Sequence, residues 1–350
     1  MADFDIYNPQ VSKVVAGVEG KLMLIHSESV KCGKTTVGSE MPKPLYLRCE
    51  QGINAIDGLP YMALDSWSDF KKVVKQLTSK KPRTIKKNGK DKEVYPRDLH
   101  TTLIIDTFDV LIRWCKSYVC SKFGVERIND GNGGYGLWEE YAVEWFSTMQ
   151  PLLNAGFFIY GISHSEIRKV KDGRTGEEVE KYAPKGDKRS IDIIIEAVDF
   201  LGYVKSNGVD ENGNVIKSSI YFAETDEYLA GSRFEFMPRE IKEFTAENIQ
   251  KGIEYAVKKK EEMTGNKSIS FEEKKKIEQK KTYTHEEILM EIKKYMTPLW
   301  KAYPEDVQEI TDEALGTDVK PSETTKKQIP QLEIVLFELQ QLAMEKGIMI

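Results

Sequence analysis

A short polar loop between an apolar run and a helix start places the strongest constraint on this 350-residue chain. The run Leu22 to Ile25 predicts a buried strand, and the loop after it ends in Gly33-Lys34-Thr35-Thr36. Backbone N–H groups at a helix N-terminus hold phosphate oxygens, a Lys reaches the β- and γ-phosphates, and a Thr hydroxyl ligates Mg²⁺. The spacing therefore predicts a nucleotide-binding loop formed by Ser29, Val30, Lys31, Cys32, Gly33, Lys34, Thr35 and Thr36.

One position of this loop departs from the phosphate-loop pattern. The pattern has a Gly five residues before Gly33, and this chain has Glu28 there. If that position needs a positive φ, a non-Gly residue costs about 1–3 kcal/mol, and its carboxylate would stand near phosphate. The alternative to nucleotide binding is therefore a decayed or purely structural loop.

A second strand pattern ends in an acid. Thr101 to Ile105 is a run of strand-forming residues closed by Asp106, and Thr107 follows. In phosphate-loop ATPases we expect the strand with this acid next to the loop strand, where the acid supports Mg²⁺. Asp106 and Thr35 are therefore the predicted Mg²⁺ partners. The alternative is a buried strand whose terminal Asp only starts the next helix.

The order of elements predicts an α/β fold with a mainly parallel sheet flanked by helices. The helix after the loop must be short because Pro42 and Pro44 follow it, and Leu45 to Glu50 is then a strand pattern that ends in a carboxylate. Strand, helix and strand in this order form a right-handed βαβ unit. Ligands of such sheets bind at the carboxyl ends of the strands, where Glu50 is predicted to lie.

The composition is that of an ordinary soluble protein. The net charge is −5, so any DNA contact has to come from local basic segments. The four cysteines form no Cys-x-x-Cys pair, which indicates neither a zinc site nor a disulfide scaffold. The sequence shows no signal-peptide pattern and no apolar run of about 18 residues. We predict a cytoplasmic protein that does not span a membrane.

Three surface segments stand out by composition. Residues 80–92 are rich in Lys and predict a hairpin with its tip at Asn88-Gly89, which is either a solvated surface or a contact for a polyanion. Residues 121–136 become rich in Gly. Residues 165–190 are predicted to form a polar loop. Its candidate DNA-binding cations are Arg168, Lys169, Lys171, Arg174, Lys185, Lys188 and Arg189.

Together these motifs resemble those of the RecA-like ATPases, and in detail those of phage-encoded proteins grouped with the RecA-like single-strand annealing proteins. The resemblance covers about residues 15–240. It rests on Gly33-Lys34-Thr35-Thr36, Pro42-x-Pro44-Leu-Tyr-Leu-x-x-Glu50-x-Gly52, Ile105-Asp106-Thr107, Gly133-x-Tyr135-Gly136 and Ile162-Ser-His164.

The resemblance implies a RecA-like P-loop NTPase core with Walker A and Walker B motifs that binds ATP and Mg²⁺. In this family the residue at Glu50 polarises the attacking water, and the polar residue at His164 senses the γ-phosphate, with Lys34 as the phosphate-binding cation. From the residues alone, Glu50 can also be a turn cap, and His164 an ordinary histidine at a strand end.

The resemblance also implies that residues 121–136 and 165–190 face single-stranded DNA, and that several copies assemble into a ring or filament. RecA-like assemblies place basic residues across the subunit interface, which makes Arg233 a candidate for a residue acting on a neighbouring subunit's nucleotide. A lone surface Arg is the commoner role.

The charge pattern divides the chain into three predicted regions. Residues 1–242 are the expected ATPase core, 243–283 a charged and solvated helical connector, and 284–350 a small helical domain. The last region has apolar residues at helical spacing but no metal or catalytic signature. Its default role is docking of another protein, such as a single-strand-binding or replication protein.

Two functions of different classes remain open. The first is an ATP-hydrolysing phage DNA recombination protein that binds single-stranded DNA and promotes annealing or strand pairing. The second is a non-catalytic nucleotide-binding adaptor, in which Glu28 has spoiled hydrolysis and the helical tail recruits a replication or packaging partner.

Overall fold

The computed structural model describes residue 7 and residues 9–52, 54–87, 89–171, 176–278 and 283–348, except for the side chain of Lys87. Two compact units are present. One is Lys13–Lys274, and the other contains the described residues among 1–12 and 275–350. Arg174, predicted to contact DNA, and Asn88, predicted at a hairpin tip, lie outside the described residues.

The strands all belong to the larger unit. In chain order they are β1 (Leu22–His26), β2 (Pro44–Arg48), β3 (Tyr61–Ala63), β4 (Arg83–Lys87), β5 (Lys90–Val94), β6 (Thr102–Asp106), β7 (Phe158–Ile162), β8 (Ser165–Lys171), β9 (Glu178–Pro184), β10 (Phe200–Lys205), β11 (Ser219–Tyr221), β12 (Gly231–Ser232) and β13 (Glu240–Ile241).

The helices are distributed over both units. The larger unit contains α1 (Lys34–Ser39), α2 (Trp67–Leu77), α3 (Pro96–Leu99), α4 (Phe108–Phe123), α5 (Trp138–Asn154), α6 (Lys188–Ala197) and α7 (Ala246–Thr264). The chain crosses the boundary between the units within α8 (Phe271–Glu278) and continues into α9 (His285–Ala302), α10 (Pro304–Leu315) and α11 (Ile329–Glu345).

The main sheet has the strand order β13-β11-β10-β1-β7-β6-β2-β3, with β12 paired to β10. Strands β10, β1, β7, β6, β2 and β3 are parallel, whereas β11, β12 and β13 pair antiparallel. This confirms the predicted α/β fold. The expectation that the Asp106 strand lies next to the loop strand is wrong, because β7 lies between β1 and β6.

The pleat of the strands divides the apolar core between the two faces of the sheet. In β1, Leu22 and Leu24 belong to a core cluster that includes residues of α2, α4 and α5, whereas Met23 and Ile25 belong to a cluster with residues of α1 and α7. Successive strand residues point to opposite faces, so burial of both faces explains the uninterrupted apolar run in the sequence.

The first half of the predicted connector is part of the core. Helix α7 buries Ile249, Ile253 and Ala256 in the same cluster as Met237 and Ile241. Its many charges occupy the remaining surface of the helix, and they mask the apolar residues at helical spacing. The expectation of a solvated segment over 243–283 is therefore wrong for residues 246–264.

This packing predicts a large difference between two substitutions on α7. We expect Ile253→Ala to lower the free energy of unfolding by about 2–5 kcal/mol, because it leaves a cavity at a fully buried position. Tyr255→Ala is the control, since Tyr255 is 55% exposed on the same helix. Urea denaturation measures both values, and equal losses in the two variants would contradict the packing of α7.

Ser66 caps α2, because its hydroxyl accepts a hydrogen bond from the Asp69 N–H (3.2 Å). One segment differs from its predicted form. The predicted loop over 165–190 is largely an antiparallel hairpin of β8 and β9, followed by the first turn of α6.

The smaller unit has its own apolar core. Helix α9 contributes Ile288 and Ile292, and α11 contributes Leu332, Val335 and Leu339. Thr284 caps α9, and the Glu287 carboxylate accepts a hydrogen bond from the Thr284 N–H (2.7 Å). None of the described helices is long and apolar enough to cross a membrane.

Candidate nucleotide-binding and hydrolysis site

The predicted phosphate loop joins the carboxyl end of β1 to the start of α1. Gly33 adopts a left-handed conformation (φ 89°) at the N-cap of this helix, which lets the loop turn into the helix. Two hydroxyl groups hold the loop backbone from outside: Ser218 donates to the Cys32 carbonyl (3.0 Å), and Tyr160 donates to the Lys34 carbonyl (3.0 Å). These two hydrogen bonds therefore hold the loop backbone against the sheet.

The structure answers the question that Glu28 raises in the sequence. Within this loop the non-Gly residue with a positive φ is Lys31 (60°), so Glu28 does not carry the expected strain. The nearby Glu28 carboxylate raises the pKa of the Tyr182 phenol, and burial together with this carboxylate raises the pKa of Tyr203. The Glu28 side chain thus lies beside two tyrosines of β9 and β10, and the predicted backbone strain is absent.

Thr35 and Asp106 lie together, although they are 71 residues apart in the chain. The Thr35 hydroxyl donates to the Asp106 carboxylate (2.8 Å), and the Tyr46 hydroxyl donates to the same oxygen (2.9 Å). Gly52 is needed here, because a Cβ at that position would come within 2.9 Å of the Tyr46 hydroxyl. The hydroxyl and carboxylate oxygens are the kind of ligand that Mg²⁺ prefers, so this pair fits the predicted metal site.

The carboxyl ends of β2 and β7 bring a second group of predicted residues together. The His164 Nε2 atom lies 3.8 Å from the Glu50 carboxylate, and its Nδ1 atom lies 3.3 Å from the Asp109 carboxylate. Asp109 stands in the first turn of α4, three residues after Asp106. Glu50 and His164 are therefore neighbours at the same edge of the sheet as Lys34 and Thr35.

Burial and charge shift the pKa values of these groups in different directions. Burial raises the pKa of Glu50 and of Asp106, although the nearby His164 charge opposes the first shift and the Thr35 hydrogen bond the second. Burial acts in the same direction on Asp109, but its hydrogen bond with His164 and the His164 charge lower its pKa overall. The Asp109 hydrogen bond in turn raises the pKa of His164.

The His164–Asp109 pair predicts a pH-dependent contribution to stability. The folded-state pKa of His164 is raised above 6.5, so its contribution is present below about pH 6.5 and is lost as the pH rises through the folded-state value. We expect the loss in unfolding free energy caused by His164→Gln to be larger at pH 5.5 than at pH 8.5 in urea denaturation.

His100 provides a control of opposite sign. Burial lowers its pKa, so the folded state favours its neutral form, and the effect of His100→Gln should grow as the pH rises. A His164→Gln effect that is equal at both pH values would contradict the proposed charge on His164.

Comparison with known proteins agrees with this geometry. The family described as "AAA domain" matches residues 23–234, which include the loop, both strand-end acids and His164. The chain belongs to the AAA-domain family. A prophage-derived protein of Bacillus subtilis strain 168, YorG of the SPbeta prophage, is 40% identical over 342 residues, covering 97% of this chain and 99% of the relative.

Membership of the AAA-domain family makes this a nucleotide-binding P-loop domain. The structure brings Thr35 to Asp106 and His164 to Glu50 at the carboxyl edge of the sheet, where the sequence predicts the nucleotide site. The roles of the individual residues in binding and hydrolysis stay predictions.

The cations predicted to contact DNA fall into two groups. Arg168 is not available as a surface cation, because its side chain is 11% exposed and its guanidinium donates to the Gly186 carbonyl (2.8 Å). Lys169 and Lys171 are exposed, but across the hairpin they stand directly opposite Glu180 and Glu178.

The second group lies at the start of α6. Lys185, Lys188 and Arg189 are exposed, and the Arg189 guanidinium lies 5.3 Å from the centre of the Trp138 ring. Trp138 begins α5 immediately after the Gly-rich segment. The contact therefore joins one predicted DNA-facing segment to the helix that directly follows the other.

Arg233 lies at the opposite edge of the sheet from its own phosphate loop. Its N–H donates to the Asp199 carbonyl (2.9 Å), next to the first residue of β10, and its guanidinium contacts the Glu196 carbonyl. From this position the Arg233 side chain does not reach the phosphate loop of its own chain. A role in nucleotide binding would therefore require the nucleotide of a neighbouring copy.

Sequence reasoning missed four residues of the site, namely Asp109, Tyr46, Tyr182 and Tyr203. The sequence could have identified Asp109, because it is an acid in the first turn of the helix that follows the Asp106 strand. Tyr46 has no such signal, because a Tyr inside an apolar strand pattern is typical of a core residue. The tyrosine neighbours of Glu28 are separated from it by more than 150 residues and depend on the register of β9 and β10.

Proposed function

We propose that this chain is an ATP-hydrolysing, phage-encoded DNA recombination protein that binds single-stranded DNA and promotes annealing or strand pairing. The observation that carries the proposal is a hydrogen bond from the Lys185 N–H to the His164 carbonyl (2.9 Å). It joins the proposed γ-phosphate sensor to the exposed cations at the start of α6. The prophage origin of YorG supports the phage assignment.

In this proposal the residues of the site divide the work of hydrolysis. The loop N–H groups and Lys34 hold the phosphates, and Thr35 with Asp106 holds Mg²⁺, which supplies charge stabilisation when bound. Glu50 accepts the proton of the attacking water, a role favoured by its raised pKa. His164 positions the Glu50 carboxylate and reports the presence of the γ-phosphate through its backbone.

The proposed DNA surface combines cations with an exposed aromatic ring. Lys185, Lys188 and Arg189 supply positive charge, and Tyr135 in the adjoining Gly-rich segment is 88% exposed. Single-stranded nucleic acids are bound by this combination, because cations track the phosphates while bases stack on aromatic side chains. We omit Arg168 and Arg174 from this surface, the first because it is internal and the second because it lies outside the described residues.

The hairpin provides a second mechanical link between the two sites. The Ser165 N–H donates to the Ser27 carbonyl (3.1 Å), and His26 contacts the Ser165 hydroxyl (2.8 Å). Tyr182 of the same hairpin lies close enough to the Glu28 carboxylate of the phosphate loop for that charge to raise its pKa. A conformational change of the phosphate loop on nucleotide binding would thus move the base of the hairpin through these contacts.

Assembly and partner binding are further parts of the proposal. A head-to-tail ring or filament would bring Arg233 of one copy toward the nucleotide of the next, in agreement with its place at the far edge of the sheet. In the smaller unit a groove of about 490 Å³, lined partly by Met296 and Trp300, offers a docking place for a single-strand-binding or replication protein.

The test is the ATPase rate with and without single-stranded DNA. We expect DNA to raise the rate of the parent, and a variant with Tyr135→Ala, Lys185→Ala, Lys188→Ala and Arg189→Ala to keep the basal rate while its DNA stimulation fades. The control is Lys169→Ala/Lys171→Ala, whose cations face carboxylates and should matter less. Equal stimulation of the fourfold variant and the parent would refute this DNA surface.

A further inference from the structure

A second cationic surface lies far from the proposed single-strand site. It is the antiparallel pair of β4 and β5, here called the basic ribbon. Residues 80–94 contain seven Lys or Arg residues and two acids, in a chain whose net charge is −5. The positive charge of the ribbon is therefore a local feature and not a property of the whole surface.

The register of the ribbon separates its charges between two faces. Residues directly opposite each other share a face, and the pairs Arg83–Val94 and Ile85–Lys92 lie on the same face as Lys90. Both acids lie on the other face, where Asp91 is opposite Lys86 and Glu93 is opposite Thr84. One face of the ribbon thus presents cations and no carboxylate.

The cations of this face are accessible. Arg83, Lys90 and Lys92 are exposed, and within the described part of the chain none of them forms a salt bridge. Val94 is buried at the base of β5, so the ribbon is anchored to the unit at one end.

The topology places the ribbon away from the nucleotide. It connects the C-terminal end of α2 to α3 and the first residue of β6, and therefore leaves the sheet at the amino ends of its parallel strands. The phosphate loop, Glu50, Asp106 and His164 lie at the carboxyl ends. The ribbon and the proposed single-strand surface are consequently separate.

We propose that the basic ribbon binds the phosphate backbone of duplex DNA. A five-residue strand spans about 17 Å, and duplex DNA carries about one charge per 1.7 Å of its axis, so the ribbon faces several phosphates at once. A two-stranded ribbon also fits the width of the major groove. Residues 80–94 contain no aromatic side chain, which favours a duplex over single strands that need stacking platforms.

This inference goes beyond the proposed function, because it assigns a second nucleic acid to a surface that the nucleotide site does not touch.

The test of duplex binding needs no nucleotide. The full chain is titrated with a fluorescent duplex of about 20 base pairs at two salt concentrations, and the anisotropy gives the affinity and its salt slope. We expect Arg83→Ala/Lys90→Ala/Lys92→Ala to weaken duplex binding at least about tenfold and to reduce the slope by about two to three, near 0.9 per phosphate contact.

Matched variants separate the ribbon from general charge. Lys258→Ala/Lys267→Ala/Lys301→Ala removes the same charge at exposed positions elsewhere and should bind the duplex like the parent. Lys90→Glu, next to the turn, should weaken binding without touching the anchored base of the ribbon. DNA-stimulated ATPase of the ribbon variant with single strands should equal that of the parent.

Three results would overturn the inference. They are a parent chain that does not bind the duplex, a ribbon variant that binds it like the parent, and a control variant that loses as much affinity as the ribbon variant. An equal loss of single-strand binding in the ribbon variant would also contradict a duplex-specific surface. Absence of ATPase stimulation in the parent would refute the proposed function and leave duplex binding by the ribbon untouched.

Discussion

Replacing Lys34 with Ala is expected to abolish ATP binding at ordinary nucleotide concentrations. Lys34 is the first residue of α1 and the cation of the loop in the position that reaches the β- and γ-phosphates. Removing one partner of a desolvated charge pair costs about 2–5 kcal/mol, which corresponds to about 30-fold or more in affinity. Isothermal titration with ATP and Mg²⁺ measures the change.

The control for this variant is Lys75→Ala, which removes an exposed Lys from α2. It should bind ATP like the parent, which would show that the effect belongs to the loop and not to net charge. The fold of Lys34→Ala can be checked by its melting temperature. Equal ATP affinity in Lys34→Ala and the parent would end the phosphate-loop interpretation.

Replacing Glu50 with Gln is expected to leave ATP binding intact and to slow hydrolysis about 10²-fold or more. A general base typically contributes that much, and the amide cannot accept the proton of the attacking water. Gln keeps the size of the side chain and can still contact His164, which lies 3.8 Å from the carboxylate. Single-turnover hydrolysis of bound ATP separates the chemical step from binding.

Glu126→Gln is the control for charge, since Glu126 is an exposed acid outside the site. Its hydrolysis rate should match the parent. If Glu50→Gln hydrolyses ATP at the parental rate, Glu50 is a turn residue at the end of β2, as the sequence alone also allows.

The residues that follow parallel strands could be placed from the sequence. Thr35, Glu50, Asp106 and His164 each come after or at the end of a strand pattern, and parallel strands bring their carboxyl ends to one edge. Their grouping follows from that rule alone. The sequence did not predict that β7 pairs with β1, because the order of strands along the chain does not determine their order in the sheet. Strand β7 begins more than 50 residues after the end of β6 and lies between β1 and β6.

Charge counts were a poorer guide than strand register. Arg168 belongs to a cation-rich segment of the sequence, yet its side chain is internal, and Lys169 and Lys171 face acids across the hairpin. In the basic ribbon the register has the opposite effect and separates Arg83, Lys90 and Lys92 from both acids. Whether a run of Lys and Arg is neutralised depends on cross-strand pairing, which composition does not contain.

The sequence of helix α7 contains apolar residues at helical spacing, but the many charged residues around them conceal this pattern. Ile249, Ile253, Ala256 and Val257 recur at helical spacing, and the structure buries all four. Because Lys and Glu dominate the rest of the helix, the average composition of 243–283 resembles a solvated connector. Periodicity identifies the buried face here, and mean charge conceals it.

The central claim is that ATP and single-stranded DNA are coupled through His164 and Lys185. The most direct test measures the affinity for a fluorescent single strand at fixed salt, with and without a saturating non-hydrolysable ATP analogue and Mg²⁺. Coupling predicts that the analogue tightens DNA binding about fivefold or more, and that DNA tightens binding of the analogue by the same factor. Identical DNA affinity with and without the analogue, in a parent that binds both ligands, would contradict the account.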